Sequence, residues 1–194
     1  FYRRGGIDLL EAFARLAQRY QNVKLVLRCS VPDDLSQRYK DIISKYPVEV
    51  QDRFLSNEQM RALLERADIF VLPSARIHVV SLLQAMAYSM AIVASDAWGI
   101  CDYLEDKVSG LVVAGRYGKT SWVDEDGMLR EDYSGLVGTD DKFVDNLESS
   151  LSFLIDRPDI RGKLAESARK QVIEKFSLAG WTEKMKQVFD AVVE

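Results

Sequence analysis

The sequence predicts an α/β fold in which a doubly wound parallel sheet is followed by a helical tail. Three short, continuously apolar runs, at residues 69–72, 91–94 and 111–113, are each separated from the next by a segment of helical pattern. Runs of this kind are typical of parallel strands buried on both faces, and their alternation with helices is typical of α/β sheets. In the last stretch, 139–194, apolar residues recur at helical spacing throughout, which predicts the tail.

The first half of the chain begins with an amphipathic helix that ends near Tyr20, because its apolar residues fall on one stripe: Leu10, Phe13, Ala14 and Ala17. Strands are predicted at 23–27 and 48–50, with a helix over 34–45 between them. Ser56 and Gln59 have the Ser-x-x-Gln spacing of a capping box, which predicts the start of a further helix.

The stretch 114–138 interrupts this alternation. It is polar, contains glycines and is longer than most α/β connections, so we expect an insertion, a flap or a small hairpin. The tail 139–194 follows it, and Pro158 suits the first turn of a helix within that tail.

Composition limits the organisation and the partners. With 194 residues, 47% of them apolar, the chain is expected to form a single domain, 1–194. A net charge of -4 gives no positive field for phosphate backbones, so nucleic acid is an unexpected partner. Cys29 and Cys101 have neither metal-ligand nor redox spacing, and we expect reduced core thiols in a cytoplasmic protein.

The sequence also bears on membranes and on completeness. No apolar stretch reaches the roughly 18 residues needed to span a bilayer, so we expect a soluble chain. The first residue is Phe1 and a helical pattern starts almost at once, so we expect further sequence upstream.

A candidate ligand site follows the strand at 69–72, where the chain passes through a loop into a helix. In open α/β sheets ligands bind at the carboxyl ends of the strands. The unpaired amides of a helix N-terminus attract anions, so the N–H groups of Val79, Val80 and Ser81 could hold a diphosphate without a lysine. The alternative is purely structural, because Ser81 and Gln84 also have capping-box spacing.

Other chemical motifs are weak. His78 is the only histidine, so no histidine-based metal cluster or His-containing catalytic arrangement with a second histidine is expected within the chain. Gly118-Lys119 is similar to the end of a P-loop, but Val113 stands where that motif requires glycine. No metal site and no cofactor are predicted.

Several landmarks in order resemble the C-terminal domain of glycosyltransferase family 4, the glycosyl transferases group 1, which has the GT-B fold. They are Arg3-Arg4-Gly5-Gly6, Ala67 to Ser74, Gln84-Ala85-Met86-Ala87, Val93 to Asp96 with Gly99, Ser109 to Val113, and Lys175-Phe176-Ser177 before Trp181. The resemblance is dense from Arg4 to Val113, whereas 114–138 has no recognised counterpart.

The resemblance implies a Rossmann-like domain for carbohydrate biosynthesis that binds a nucleotide-diphosphate sugar, carrying UDP or GDP, in a retaining and metal-independent transfer. An N-terminal domain outside the chain would receive a saccharide, lipid or other acceptor. Any peripheral membrane association would be through that missing half, and the isolated fragment is expected to be inactive.

The resemblance also implies site residues. Arg4 matches the basic residue on the diphosphate, and Arg53 and Phe54 border the base. Arg76 and Gln84 stand where the family has two glutamates, one on the donor sugar and one on the ribose. Ile77 is the rival position for the first glutamate, and it lines the donor loop together with His78, Val79, Val80 and Ser81.

The loss of both acids leaves a second hypothesis open. A catalytically degenerate GT-B domain could keep the fold and act as a binding or scaffold module. Another GT-B enzyme, such as an epimerase of nucleotide sugars or a phosphorylase, is a third alternative, and the family-like segment Lys175-Phe176-Ser177 argues against it.

Overall fold

A computed structural model describes residues 1–119, 121–123, 125–132, 136 and 138–193. Parallel strands alternate with helices up to residue 113, and helices fill the C-terminal part. The elements are α1 (Gly6–Arg19), β1 (Leu25–Leu27), α2 (Gln37–Lys45), β2 (Val48–Val50), α3 (Asn57–Glu65), β3 (Ile69–Leu72), α4 (Val79–Ala87), β4 (Ala91–Ser95), β5 (Leu111–Val113), β6 (Ser121–Val123), β7 (Leu129–Asp132), α5 (Asp141–Asp156), α6 (Pro158–Phe176) and α7 (Leu178–Val193).

Hydrogen bonds join the parallel strands in two groups. Strands β1 and β2 pair with each other, and β4 lies between β3 and β5. Within each group the strands run parallel, so their carboxyl ends lie at one edge of that group. The strands β3 and β5 have the predicted bounds, and β4 extends one residue further, to Ser95.

Helices cover both faces of the central strand, as a doubly wound fold requires. Ala91 and Val93 of β4 belong to a core shared with α1 and α5, whereas Ile92 and Ala94 belong to a second core shared with α4 and α6. Successive side chains of a strand point to opposite faces, so a continuous apolar run is needed to fill both cores. The predicted α/β fold class and its helical tail are therefore confirmed.

Local signals set several boundaries. The Ser56 hydroxyl accepts a hydrogen bond from Gln59 N while the Gln59 side chain accepts one from Ser56 N, so the predicted capping box is present. Pro158 begins α6. The segment 114–138 contains the antiparallel pair β6 and β7, and its status as an insertion stays a prediction.

The two cysteines differ in their burial. Cys29 and Cys101 are both unpaired, but only Cys29 is partly buried. Cys101 is exposed in a 3₁₀ turn, Ile100–Asp102, so the expectation that it is a core thiol was wrong.

None of the helices in the described part of the chain is both long and apolar enough to cross a bilayer.

Candidate ligand site at the carboxyl edge of the sheet

The loop between β3 and α4 is fixed at its base by buried hydroxyl groups. Pro73, Ser74 and Ala75 are buried. The Ser95 hydroxyl, at the end of β4, donates to the Ser74 carbonyl, and the Ser74 hydroxyl accepts from Arg76 N at 3.2 Å. Both buried hydroxyl groups therefore have a hydrogen-bond partner, as buried polar groups generally require.

The first turn of α4 carries unpaired amides. His78 is the N-cap residue, and its side chain does not cap the helix. Within the described part of the chain, no hydrogen-bond acceptor is found for the backbone N–H groups of Val79, Val80 and Ser81. Ser81 lies inside the helix, so the alternative of a capping box at Ser81 and Gln84 is wrong. The turn keeps the donors that an anion would use.

The turn that carries Arg4 lies against this loop. Ala75 N donates to the Arg3 carbonyl at 3.4 Å. Gly5 has φ 69°, and a Cβ added there would clash with the Pro73 carbonyl oxygen and lie 2.9 Å from Pro73 Cβ. A glycine is therefore needed for the close approach, and it brings the exposed residue Arg4 next to the β3–α4 loop.

The remaining predicted loop residues lie around the open start of α4. Arg76 is exposed, while Ile77 and His78 are partly buried. Val80 is 70% exposed and Gln84 is exposed one turn later, so both lie on one helix face because residues four apart are neighbours.

Arg53 and Phe54 follow the carboxyl end of β2, in the connection between β2 and α3. Both are exposed, and Phe54 is 94% exposed, so the fold does not use this aromatic ring for packing. Close by, Arg28 Nη1 donates to the Gln51 carbonyl at 3.0 Å and ties the ends of β1 and β2 together.

Beneath the site lies a buried ion pair that sequence reasoning missed. Asp8, in the first turn of α1, pairs with Arg116, and the two side chains are 2% and 4% exposed. Asp8 Oδ1 also accepts from Asp140 N at 2.8 Å. Burial raises the pKa of the Asp8 carboxyl, while the Asp140 N–H and the Arg116 charge oppose that rise.

The turn that carries Arg116 is held by Asp96, just after β4. The Asp96 carboxylate accepts hydrogen bonds from three consecutive amides, Gly115 N at 3.1 Å, Arg116 N at 2.6 Å and Tyr117 N at 2.9 Å. The N–H groups just before Gly118-Lys119 are therefore already occupied by a carboxylate.

Most of the predicted site residues are exposed, namely Arg4, Arg53, Phe54, Arg76, Val80 and Gln84. Two shallow concavities, one lined in part by Asn57 and Tyr88 and the other by Glu11 and Arg38, involve none of the predicted site residues. Among the described residues, no group of three or more His, Cys, Asp or Glu side chains is placed to hold a metal ion. Metal independence stays a prediction.

Solved structures share this architecture. The C-terminal domain of the group 1 glycosyl transferase LpcC from Francisella tularensis matches with a TM-score of 0.69 at 16% identity, over 91% of this chain and 81% of that one. HepE from Anabaena, in complex with UDP and glucose, matches with a TM-score of 0.69 at 14% identity, over 97% of this chain and 45% of that one. The pneumococcal O-GlcNAc transferase GtfA, in complex with UDP and GlcNAc, gives 0.70 at 12% identity, over 99% and 34%.

At these identities the likeness shows the fold alone, and the chain spans less than half the length of HepE and of GtfA. No curated protein sequence matches the chain significantly. The family model of the glycosyl transferases group 1 matches residues 2–125. Since that match covers well over half of the chain, this protein belongs to the glycosyl transferases group 1.

Proposed function

We propose that this chain is the donor-binding half of a retaining, metal-independent glycosyltransferase of carbohydrate biosynthesis. The first turn of α4 carries the proposal, because the N–H groups of Val79, Val80 and Ser81 have no acceptor among the described residues and the preceding loop is bonded to the turn that contains Arg3 and Arg4. Backbone N–H groups and an arginine together stabilise a departing diphosphate without a metal. The unpaired cysteines suit a cytoplasmic location.

The nucleotide is proposed to lie along the carboxyl edge of the strands. Arg4 and the α4 amides hold the diphosphate, Gln84 bonds the ribose one turn along α4, and Arg53 and Phe54 border the base. UDP and GDP are both candidates, and UDP gains support from the structures of HepE and GtfA, which hold UDP. The predicted site residues are largely exposed, and an N-terminal acceptor domain would supply a second wall for the donor, so the chain alone should be inactive.

Calorimetric titration of the full-length protein with UDP- and GDP-sugars tests donor binding. We expect binding by the protein as it exists and a loss of about 10- to 100-fold in affinity for Arg4→Gln, because a charge-assisted hydrogen bond contributes about 1.5–3 kcal/mol. Arg157→Gln is the matched control, since this exposed arginine lies at the start of α6, where it pairs with Asp159. Absence of binding at millimolar donor would refute the proposal.

A catalytically degenerate binding or scaffold module is the second candidate, and the site itself motivates it. Arg76 reverses the charge that the family has on the donor sugar, and Gln84 is neutral. Arg76→Glu separates the two functions: a gain of transfer activity would show a degenerate site, whereas a loss would show a donor site rebuilt around arginine. The anomeric configuration of the product, read by NMR, tests retention.

A further inference from the structure

The buried pair of Asp8 and Arg116 is attached to both segments of the candidate diphosphate site, because Arg116 bonds the Pro73 carbonyl and Asp8 lies in the turn of α1 that follows Arg4 and Gly5. Side-chain exposures of 2% and 4% prevent either group from contacting a bound donor. A buried ion pair gives little net stability compared with apolar packing of the same volume. Its contribution to stability therefore does not explain why these charges occupy this place.

The contacts of Arg116 connect the two segments that form the site. Arg116 Nε donates to the Pro73 carbonyl at 3.4 Å, and this carbonyl is the group against which Gly5 packs. The guanidinium carbon also lies 4.0 Å from the centre of the Phe143 ring. A planar guanidinium can satisfy the carboxylate, the carbonyl and the ring together in one orientation, which a lysine cannot do.

Asp8 connects Arg116 and the start of α5 to the first turn of α1. One of its oxygens pairs with Arg116 and the other accepts Asp140 N. The stretch that leaves the sheet after β5 and returns at α5 is therefore tied at both ends to the first turn of α1. That turn directly follows Arg4 and Gly5, so any shift of Asp8 is expected to move the Arg4 turn relative to α4.

We propose that Asp8 and Arg116 are positioning residues of the diphosphate site. They fix the position of the Gly5 turn relative to the Pro73 carbonyl, so that Arg4 and the α4 amides can bind the same diphosphate. The inference rests on the proposed donor binding and adds to it a dependence on Arg116, which follows β5 and lies outside the two segments that form the site.

The test compares UDP with UMP, and GDP with GMP, on the full-length protein by calorimetry. Arg116→Lys keeps the charge that faces Asp8 but loses the planar contacts to Pro73 and Phe143. We expect it to weaken binding of the diphosphate by about 10-fold and binding of the monophosphate by less than about 3-fold. A role confined to folding would lower the melting temperature and leave the ratio of the two affinities unchanged.

Two further variants keep the test decisive if Arg116→Lys does not fold. The double variant Asp8→Asn with Arg116→Met leaves no unpaired buried charge, and Asn can still accept a hydrogen bond from Asp140 N. We therefore expect it to fold and to show the same decrease in the ratio of diphosphate to monophosphate affinity. Leu154→Ala is the stability control, because this fully buried residue lies 14 positions along α5 from Asp140, or about 21 Å.

The outcomes separate the two levels of the proposal. If the full-length protein binds neither UDP nor GDP, the donor-binding function fails and the positioning role fails with it. If it binds a diphosphate, and the variants keep the wild-type ratio of diphosphate to monophosphate affinity, only the positioning role is overturned. A selective loss of diphosphate affinity in both variants, absent in Leu154→Ala, supports it.

Discussion

Gly5 combines two separate requirements, a left-handed backbone and a missing side chain. Its φ of 69° alone makes an L-residue unfavourable by about 1–2 kcal/mol, and the clash with the Pro73 carbonyl adds to that. The substitution Gly5→Ala would also push the Arg4 turn away from the β3–α4 loop. Stability and donor binding should therefore fall together.

Gly118 serves as a control that separates the cost of the left-handed backbone from the cost of the clash with Pro73. It has φ 73°, but a Cβ added there meets no atom within 4 Å. We expect Gly118→Ala to lower the free energy of unfolding by about 1–2 kcal/mol, and Gly5→Ala to lower it by about 1–3 kcal/mol more because of overpacking. Urea unfolding measures both. Equal losses in the two variants would show that Gly5 does not approach Pro73 closely.

Loss of the ion pairs of Glu49 should make the folded state less stable at acid pH. Hydrogen bonds from Lys24, Gln51 and Arg66 lower the pKa of Glu49 from 4.5 to about 2. A depressed folded-state pKa means that the ionised carboxylate favours the folded state, so its contribution is complete above pH 4.5 and is lost as the pH falls toward 2.

The variant Glu49→Gln isolates this contribution. We expect it to lower the urea midpoint at pH 7 and to reduce the fall in stability between pH 4.5 and pH 2. Glu166→Gln is the control, because Glu166 is exposed on α6 and should change neither quantity measurably. An unchanged pH profile for Glu49→Gln would contradict the assignment.

At the scale of elements, helix N-termini differ in a way that the sequence shows only partly. Ser56 caps α3 through a full capping box, whereas Ser36 occupies the N-cap of α2 without a side-chain hydrogen bond. The start of α4 has no side-chain cap at all. Side-chain caps are present at α3 and at α5, where Asp140 accepts from Phe143 N, whereas α1, α2, α4 and α6 begin without one. The uncapped start of α4 is therefore shared with other helices of the chain.

The pair Ser56→Ala and Ser36→Ala tests this distinction. Loss of a working N-cap costs about 1 kcal/mol, within a range of roughly 0.5–2 kcal/mol, so we expect that loss for Ser56→Ala. Ser36→Ala should change the free energy of unfolding by a few tenths of a kcal/mol at most. Chemical denaturation of both variants gives the comparison, and similar losses would mean that α2 is capped in solution as well.

Much of this element pattern follows from local sequence. Strands β3 and β5 were predicted with their observed bounds, since short apolar runs between helical patterns leave few other arrangements. The start of α3 followed from Ser56 and Gln59. The start of α4 was ambiguous, because capping-box spacing at Ser81 and Gln84 does not show which residue precedes the first helical turn.

The buried network could not be predicted in the same way. Asp8 and Arg116 are 108 positions apart, and Asp8 lies within the first turn of α1, where an acidic residue is expected for electrostatic reasons alone. Only the fold brings Arg116, Pro73 and Asp8 together. The candidate site is therefore predictable from sequence in its outer residues, and its support is visible only in three dimensions.

At the scale of the whole molecule, donor binding should stabilise the folded protein in proportion to its affinity. A ligand at 100 times its Kd adds about 2.7 kcal/mol to the free energy of unfolding. For a domain of this size each kcal/mol raises Tm by about 2–4 °C, so we expect a rise of about 5–10 °C with saturating UDP or GDP.

The same melting experiment tests metal independence. If Arg4 and the α4 amides hold the diphosphate, the rise in Tm should be equal with excess EDTA and with added Mg²⁺, because no metal bridges the phosphates. Matching scans without nucleotide control for direct effects of either additive. A rise that appears only with Mg²⁺ would refute the metal-independent proposal, since the diphosphate would then be bound through a cation that these backbone amides and Arg4 do not need.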